Sequence, residues 1–559
     1  MAAPLRAVAR RLALPALLAL AVAVPIGWAA ASAVGAALHA QAWHDLWDHP
    51  AWLRALAMTL WTGLAATVLS AALAAWVLSR SFPGEPGRSP WQRTVQALPP
   101  MLAVPHAAFA IGLAFLLAPS GWLLRLLSPW ATGFNAPPPW ATTQDPWGLG
   151  LIAALVAKEV PFLLWAAATQ LQRADTGTRW ARELQAARSM GYSARRAWWR
   201  VLWPQLWPRL AAPGVAVLAY SLTVVDMALV IGPQAPPTLA VLAWQWLLDA
   251  DPAVNAQGAA AAWLLAAAVA ALAGAAWALR HAVHLRTRRT NGARGRPGQP
   301  GGGGAVGAYL PVALAALYGA VMLALAVSSA AGAWPFPQAW PGQWSGQAWA
   351  SVAASAATVW ATLGLALASS LAALAWAVAW LECAPPTWDA RLRQLVYLPL
   401  LLPSVLWVVG VHQLTLAWRI DAHAAGLWLA HTLAAAPYVL IALSPAYLGF
   451  DARYAQVAAT LRRGRLAFLL RVKWPLLRAS LWAALAVGFA VSVAQYLPTL
   501  FVGAGRFNTV TTEAVTLASG AQRQLTAAYA WLQWALPALA FAAAALAGRP
   551  RRFAVKGAP

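Results

Sequence analysis

Long apolar runs alternate along the chain with short polar stretches rich in arginine. About twenty consecutive apolar residues let a helix cross the hydrocarbon core of a bilayer. Twelve such runs occur, near 13–36, 55–79, 94–118, 147–170, 210–232, 257–280, 308–331, 351–380, 395–418, 425–447, 479–502 and 526–547. Strand-like alternation is absent, which argues against a transmembrane barrel. The pattern predicts an all-α integral membrane protein with about twelve transmembrane helices.

The runs form two similar sets of six. In the third, Leu98-Pro99 is followed by Pro105 and then Gly112; in the ninth, Leu398-Pro399 is followed by Pro403 and Gly410. Pro161-Phe162 in the fourth run matches Pro437-Tyr438 in the tenth. Six is even, so a duplicated six-helix unit keeps its orientation, and the expectation is two parallel six-helix repeats. They occupy residues 1–280 and 308–559. Between them, 281–307 is basic and then rich in Gly and Pro with no apolar periodicity, the composition of a flexible linker.

Composition narrows the class. With 61% hydrophobic and 10% charged residues the chain is not a soluble globular protein. The net charge of +24 invites a nucleic-acid reading, but its distribution rejects one. With the N-terminus inside, 33 of the 39 Lys and Arg fall in cytoplasmic segments, five in external ones, and Lys158 lies within a run. That asymmetry is the positive-inside rule, so both termini are expected in the cytoplasm and the basic face suits anionic lipids of the inner leaflet. Cys383 stands alone, which excludes a disulfide framework or thiolate metal cluster. The first run follows Arg6, Arg10 and Arg11 as a signal peptide would, but exceeds the usual apolar core of a signal, so an uncleaved helix is expected. The lysines Lys158, Lys473 and Lys556 do not follow a glycine, so there is no phosphate-cradling P-loop and no ATPase in the chain.

One polar stretch carries the clearest motif. In QAARSMGYSARRAWWRVLWP, Gln185 precedes Ala186 and Ala187, Gly191 follows four residues later, and Pro204 lies thirteen beyond the glycine. Small residues allow a partner to approach the backbone closely, and a proline can open a helix whose first turn has no use for its N–H. A second, degenerate copy runs from Ala458 and Ala459 to Pro475, with Gly464 five residues past Ala459. The spacing resembles the EAA loop of permease subunits of binding-protein-dependent ABC importers, with Gln185 in place of Glu, Val201 of Ile and Trp203 of Leu. Nearly the whole chain is similar to two such permeases fused, as in the thiamine and ferric-iron branches.

The resemblance implies a type I ABC importer permease fold and no cofactor. It places coupling loops at 171–209 and 448–478, facing ABC ATPase subunits, two copies, in the cytoplasm. It also implies a periplasmic substrate-binding protein. It leaves open whether the substrate is thiamine or a related small cation, ferric iron or a polyamine.

Ionisable residues deep in a membrane are costly and point to function. Lys158 and Glu159 in the fourth run and Asp226 in the fifth are such residues; Gln495 roughly matches Asp226 in the eleventh. They either line a polar pathway or form a structural pair, for example Lys158 with Asp226. His106, His412 and His431 lack ligand spacing and read as packing histidines, not metal ligands. Many of the 36 Trp sit at run ends, where interfacial anchoring accounts for them.

Two other functions compete. A proton-coupled 6+6 secondary transporter would show charged Gly-rich signatures after the second and eighth runs, and these are missing. A membrane-bound transferase would want paired carboxylates or a large soluble loop.

Overall fold

The computed structural model describes residues 2–36, 38–82, 90–171, 174–290, 306–461, 464–520 and 522–549. Ten principal helices of the first half are matched by ten of the second in the same order. The first set is α1 (Ala2–Ala36), α2 (Trp52–Ser81), α3 (Pro90–Leu102), α4 (His106–Leu117), α5 (Leu149–Leu171), α6 (Ala174–Ser189), α7 (Ala211–Thr223), α8 (Asp226–Ile231), α9 (Leu239–Leu247) and α10 (Pro252–Thr290). The second is α11 (Val306–Ala330), α12 (Ala356–Cys383), α13 (Pro386–Val396), α14 (Ser404–Ala417), α15 (Ala424–Leu448), α16 (Arg453–Thr460), α17 (Arg478–Val493), α18 (Leu497–Gly503), α19 (Val510–Ala518) and α20 (Arg523–Ala547). The described residues contain no strands, only two isolated β-bridges.

Among the described residues nine helices are long and apolar enough to cross a membrane, and up to eleven if each of two sharply bent pairs is one span. Eight of the twelve expected runs are single helices. The third, fifth and eleventh are each broken in two, and the ninth into Pro386–Val396, Leu398–Leu401 and Ser404–Ala417. Proline explains two of these breaks. Pro105 and Pro403 stand extended immediately before α4 and α14, where a missing N–H and the restriction on the preceding residue stop a helix from passing. The bend across Pro403 is 112°. The other two breaks, at Val224–Val225 and at 494–496, contain no proline. The fifth expected run is the one outside the count of eleven. Its helix α7 has 13 residues, about 20 Å of rise at ~1.5 Å per residue, too short to span. The stretch read as a linker from 281 also changes, because α10 continues to Thr290; residues 291–305 lie outside the described residues.

The glycines shared by the two halves mark helix crossings. A Cβ on Gly112 of α4 would meet Val321 Cγ1 at 2.7 Å and Leu325 Cγ at 2.9 Å, both on α11. One on Gly410 of α14 would overlap the Ala29 carbonyl oxygen of α1 and lie 2.7 Å from its carbonyl carbon. The first helix of each half thus crosses the fourth helix of the other. Trp376 Nε1 of α12 also donates to Leu18 O of α1 at 2.9 Å, and Tyr318 Oη of α11 to Ala157 O of α5 at 3.2 Å. One continuous apolar core runs through both halves.

A matched pair of caps holds the short helices that follow the breaks. Leu239 N–H at the start of α9 donates to Thr59 Oγ1 of α2 at 2.7 Å. Val510 N–H at the start of α19 donates to Thr362 Oγ1 of α12 at 2.9 Å.

Candidate coupling segments and membrane pathway

Each EAA-like stretch has a first helix and, beyond a short connection, a second helix containing a π-helical turn. In the first, α6 ends and Gly191 turns the chain with a φ of +88°, a left-handed conformation open to glycine at little cost. Ser193 caps the next helix by accepting from Arg196 N–H. After Ala194–Ala197 comes a π-helical turn, Trp198–Leu202, then the helix Trp203–Leu206. In the second, Gly464 precedes Arg465–Phe468, the π-helical turn Leu469–Lys473 and Trp474–Leu476.

The two π turns have one cause. Pro204 and Pro475 have no N–H for the carbonyl four residues back, and their rings crowd it. Widening the preceding turn relieves both problems. The Trp203 and Trp474 N–H groups then reach back five residues, to Trp198 O and Leu469 O.

Counting back from the prolines corrects the correspondence read from the sequence. Ser193 and Gly464 each lie eleven residues before their proline and share extended cap geometry. Gly464 is therefore the counterpart of Ser193, not a drifted Gly191; the position matching Gly191 is 462, outside the described residues. Ala458 matches Ala187, and both are buried, at 9% and 2% exposure. Ala459 is exposed and matches Arg188, so the Ala pairs are out of register by one, while Gln456 matches Gln185. Gln185, Ala186, Gly191, Pro204, Gly464 and Pro475 are exposed on the outer side of their segments. A Cβ on Gly191 would meet nothing within 4 Å.

The first segment is fastened to α6. Gln205 Nε2 donates to Glu183 Oε2 at 2.7 Å, and Arg179 Nε to Glu183 Oε1 at 2.9 Å. Trp180 Nε1 donates to Gln205 Oε1 at 3.0 Å. The bond from Gln205, with Arg179 adding another and its charge, holds the Glu183 carboxyl below the usual range. Beside the second segment lies a surface groove of about 570 Å³ whose walls include Tyr454, Val457, Ala458, Phe468 and Arg471.

The intramembrane charges gather where the broken helices meet. Lys158 Nζ donates to Val104 O at 2.6 Å and Met101 O at 3.4 Å. It thus supplies a donor to the Val104 carbonyl at the α3–α4 break, which hydrocarbon could not satisfy, and a longer one to Met101 O, which also accepts from Val104 N–H. No Lys158–Asp226 ion pair exists among the described residues. Asp226 is the first residue of α8, with its carboxylate beside the backbone N–H groups of the first turn.

Glu159 is 5% exposed, and His106 Nε2 lies 3.8 Å from its Oε1. The His106 and Tyr220 rings are 4.6 Å apart. Tyr220 lies in electrostatic range of both Asp226 and Glu159, Tyr438 of α15 in range of Glu159, and Tyr496 in range of Asp226.

Gln495 sits in the α17–α18 break and donates to Val491 O at 3.2 Å. Its match to Asp226 is looser than the sequence implied. The offset of 271 that relates Pro204 to Pro475 also relates Gly232 to Gly503, and it pairs Asp226 with Leu497. His431 bridges that break, bonding Ser492 Oγ at 2.8 Å and Thr499 Oγ1 at 2.9 Å. It is a structural histidine, as is Lys158's role at the other break. His412 packs 6.1 Å from Phe501. No group of three or more metal-ligating side chains occurs among the described residues.

No family model matches the chain. It is 35% identical over 527 residues, 94% of each sequence, to the inner membrane ABC transporter permease protein YnjC of Escherichia coli (strain K12). The chain belongs to the ABC transporter permeases. It is a multi-pass inner-membrane protein, and the secondary-transporter and transferase readings are set aside by that relationship.

In this permease Tyr220 of one half and Tyr438 and Tyr496 of the other lie within electrostatic range of Glu159 or Asp226. The tyrosines escaped the sequence reading because a tyrosine in an apolar run carries no charge to single it out. The π turns were also missed, although the Trp-Pro pair that ends both was in view.

Proposed function

We propose that this permease is the membrane subunit of an importer that moves a small cation, of the thiamine kind, from a periplasmic binding protein to the cytoplasm. Residues 1–280 and 308–559 form its two halves, joined on the cytoplasmic side, where both termini also lie. The segments ending at Pro204 and Pro475 face two ATPase subunits, which hydrolyse the ATP. The observation that carries this reading is the proline-anchored π turn shared by two exposed segments. Each puts small residues and arginines on an outer surface, as a docking element needs. The cation reading rests on Glu159 and Asp226, two carboxylates in electrostatic range of tyrosines from both halves; among the described residues no lysine or arginine lies within ion-pair distance of either, and Lys158 acts on Glu159 only at longer range.

Cysteines at the exposed positions Ala186 and Ala459, in a Cys383→Ser background, are expected to crosslink to an ATPase subunit. Absence of crosslinks at both sites in a complex that still transports would overturn the coupling assignment. Asp226→Asn and Glu159→Gln are expected to cut uptake of labelled thiamine about tenfold or more, with normal protein in the membrane. Uptake of ferric iron or spermidine instead of thiamine would reassign the substrate. Undiminished uptake in both variants would remove these carboxylates from the pathway.

A further inference from the structure

The two coupling segments are anchored differently, and one carboxylate makes the difference. Glu382 is the next-to-last residue of α12 and its side chain is 15% exposed. It accepts from Lys473 Nζ at 2.7 Å, Arg465 Nη2 at 3.0 Å and Tyr447 Oη at 2.9 Å. Arg465 Nη2 also donates to the Glu382 backbone carbonyl at 2.6 Å. The Lys473 ammonium lies 4.0 Å from the Tyr447 ring centre, and Trp474 Nε1 donates to Tyr447 Oη at 3.3 Å. Arg465, Lys473 and Trp474 belong to the second segment; Glu382 and Tyr447 end two long helices, α12 and α15.

The first half has no equivalent. Through the registers that relate Thr59 to Thr362, Pro161 to Pro437 and Pro204 to Pro475, the four positions become Ser79, Leu171, Ala194 and Leu202. None of these four side chains can form an ion pair. A negative charge at a helix C-terminus opposes the helix dipole, so Glu382 does nothing for α12 itself. It is favourable there only while the cations of the segment are docked on it, and the Lys473 ammonium, 13% exposed, is equally stranded without it.

We propose that Glu382 is a positioning residue for coupling. It latches the second segment to α12 and α15, so that the segment and the membrane core of its half move as one body. This rests on the reading that the segments receive ATP-driven motion. The first segment, whose Gln205 ties its second helix back to its own α6, has no such latch, and the two halves respond unequally to nucleotide.

The test uses the full chain purified from its native membranes with its co-purifying ATPase, in nanodiscs, with hydrogen exchange measured with and without a non-hydrolysable ATP analogue. In Glu382→Gln, exchange across 464–476 is expected to rise about tenfold while 193–206 is unchanged. The analogue-dependent change in exchange at the 494–496 break should be lost although the ATPase still co-purifies. Lys473→Arg, which keeps the charge pair, should retain that response. Lys473→Met gives the same reading should Glu382→Gln accumulate poorly. A Glu382→Gln complex that keeps both the protection of 464–476 and the nucleotide response overturns the proposal. Failure of any ATPase to co-purify with the unaltered chain overturns the coupling reading beneath it; the exchange of 464–476 then still reports whether the latch holds.

Discussion

Gly410→Ala places one methyl group where α14 crosses α1. The new Cβ would stand 2.7 Å from the Ala29 carbonyl carbon and 3.1 Å from its Cα. Unstrained carbon contacts are about 3.5–4.0 Å, so the helices must part by roughly 1 Å. The obstacle is backbone in mid-helix, which cannot swing aside as a side chain can. Overpacking of this kind costs about 1–3 kcal/mol, against a helix-propensity gain of at most about 1 kcal/mol for replacing glycine.

Gly364→Ala is the control, because a Cβ there meets nothing within 4 Å, and only the propensity gain remains. Gly112→Ala falls between the two, since two of its three near atoms are the movable side-chain atoms of Val321 and Leu325. Denaturant titration of the purified full chain in mild detergent should rank Gly364→Ala above Gly112→Ala above Gly410→Ala. The outer two should differ by about 1–3 kcal/mol. A Gly410→Ala protein as stable as Gly364→Ala would refute the crossing and with it the reciprocal packing of the halves.

Lys158→Met and Asp226→Asn should combine with a coupling energy below about 0.5 kcal/mol in the same titration, because they serve separate backbone groups; recovery of stability in the double variant would restore the ion pair. Thr59→Val and Thr362→Val should each cost about 1–3 kcal/mol by orphaning a buried N–H, and by similar amounts; a loss confined to one half would break the equivalence of the caps. For Glu183, whose folded pKa is depressed, the stabilisation is complete above the ordinary glutamate value of about 4.3 and lost as pH falls through the lower folded value. Hydrogen exchange at 203–206, corrected for its intrinsic pH dependence, should therefore rise in acid below that range. Glu183→Gln should flatten the profile, and an unchanged acid rise in that variant would reject Glu183 as its source.

Local features of this chain were legible because their causes are local. Run length fixed where α2, α5, α12 and α15 cross, and proline chemistry marked the ends of α4 and α14 without revealing that the chain breaks there. The arginine-bearing stretches around Gly191 and Gly464 announced two exposed helical segments through small residues and a terminal proline at similar spacing. The sequence alone also established the duplication, because Pro105 with Gly112 and Pro403 with Gly410 recur at one distance. What those glycines are for, only the tertiary structure decided: each admits the first helix of the opposite half, a partner some 200 to 400 residues away in the chain. The breaks at Val224–Val225 and 494–496 carry no proline; the second is spanned by His431, which bonds the Ser492 and Thr499 hydroxyls on either side of it in a way no spacing rule anticipates. Lys158 was open to two readings, a pathway lining or a pair with Asp226, and its ammonium donates to backbone carbonyls at a neighbouring break rather than to that carboxylate. The partner of a buried polar group depends on which atoms the fold leaves unsatisfied beside it, and that is a property of three-dimensional packing.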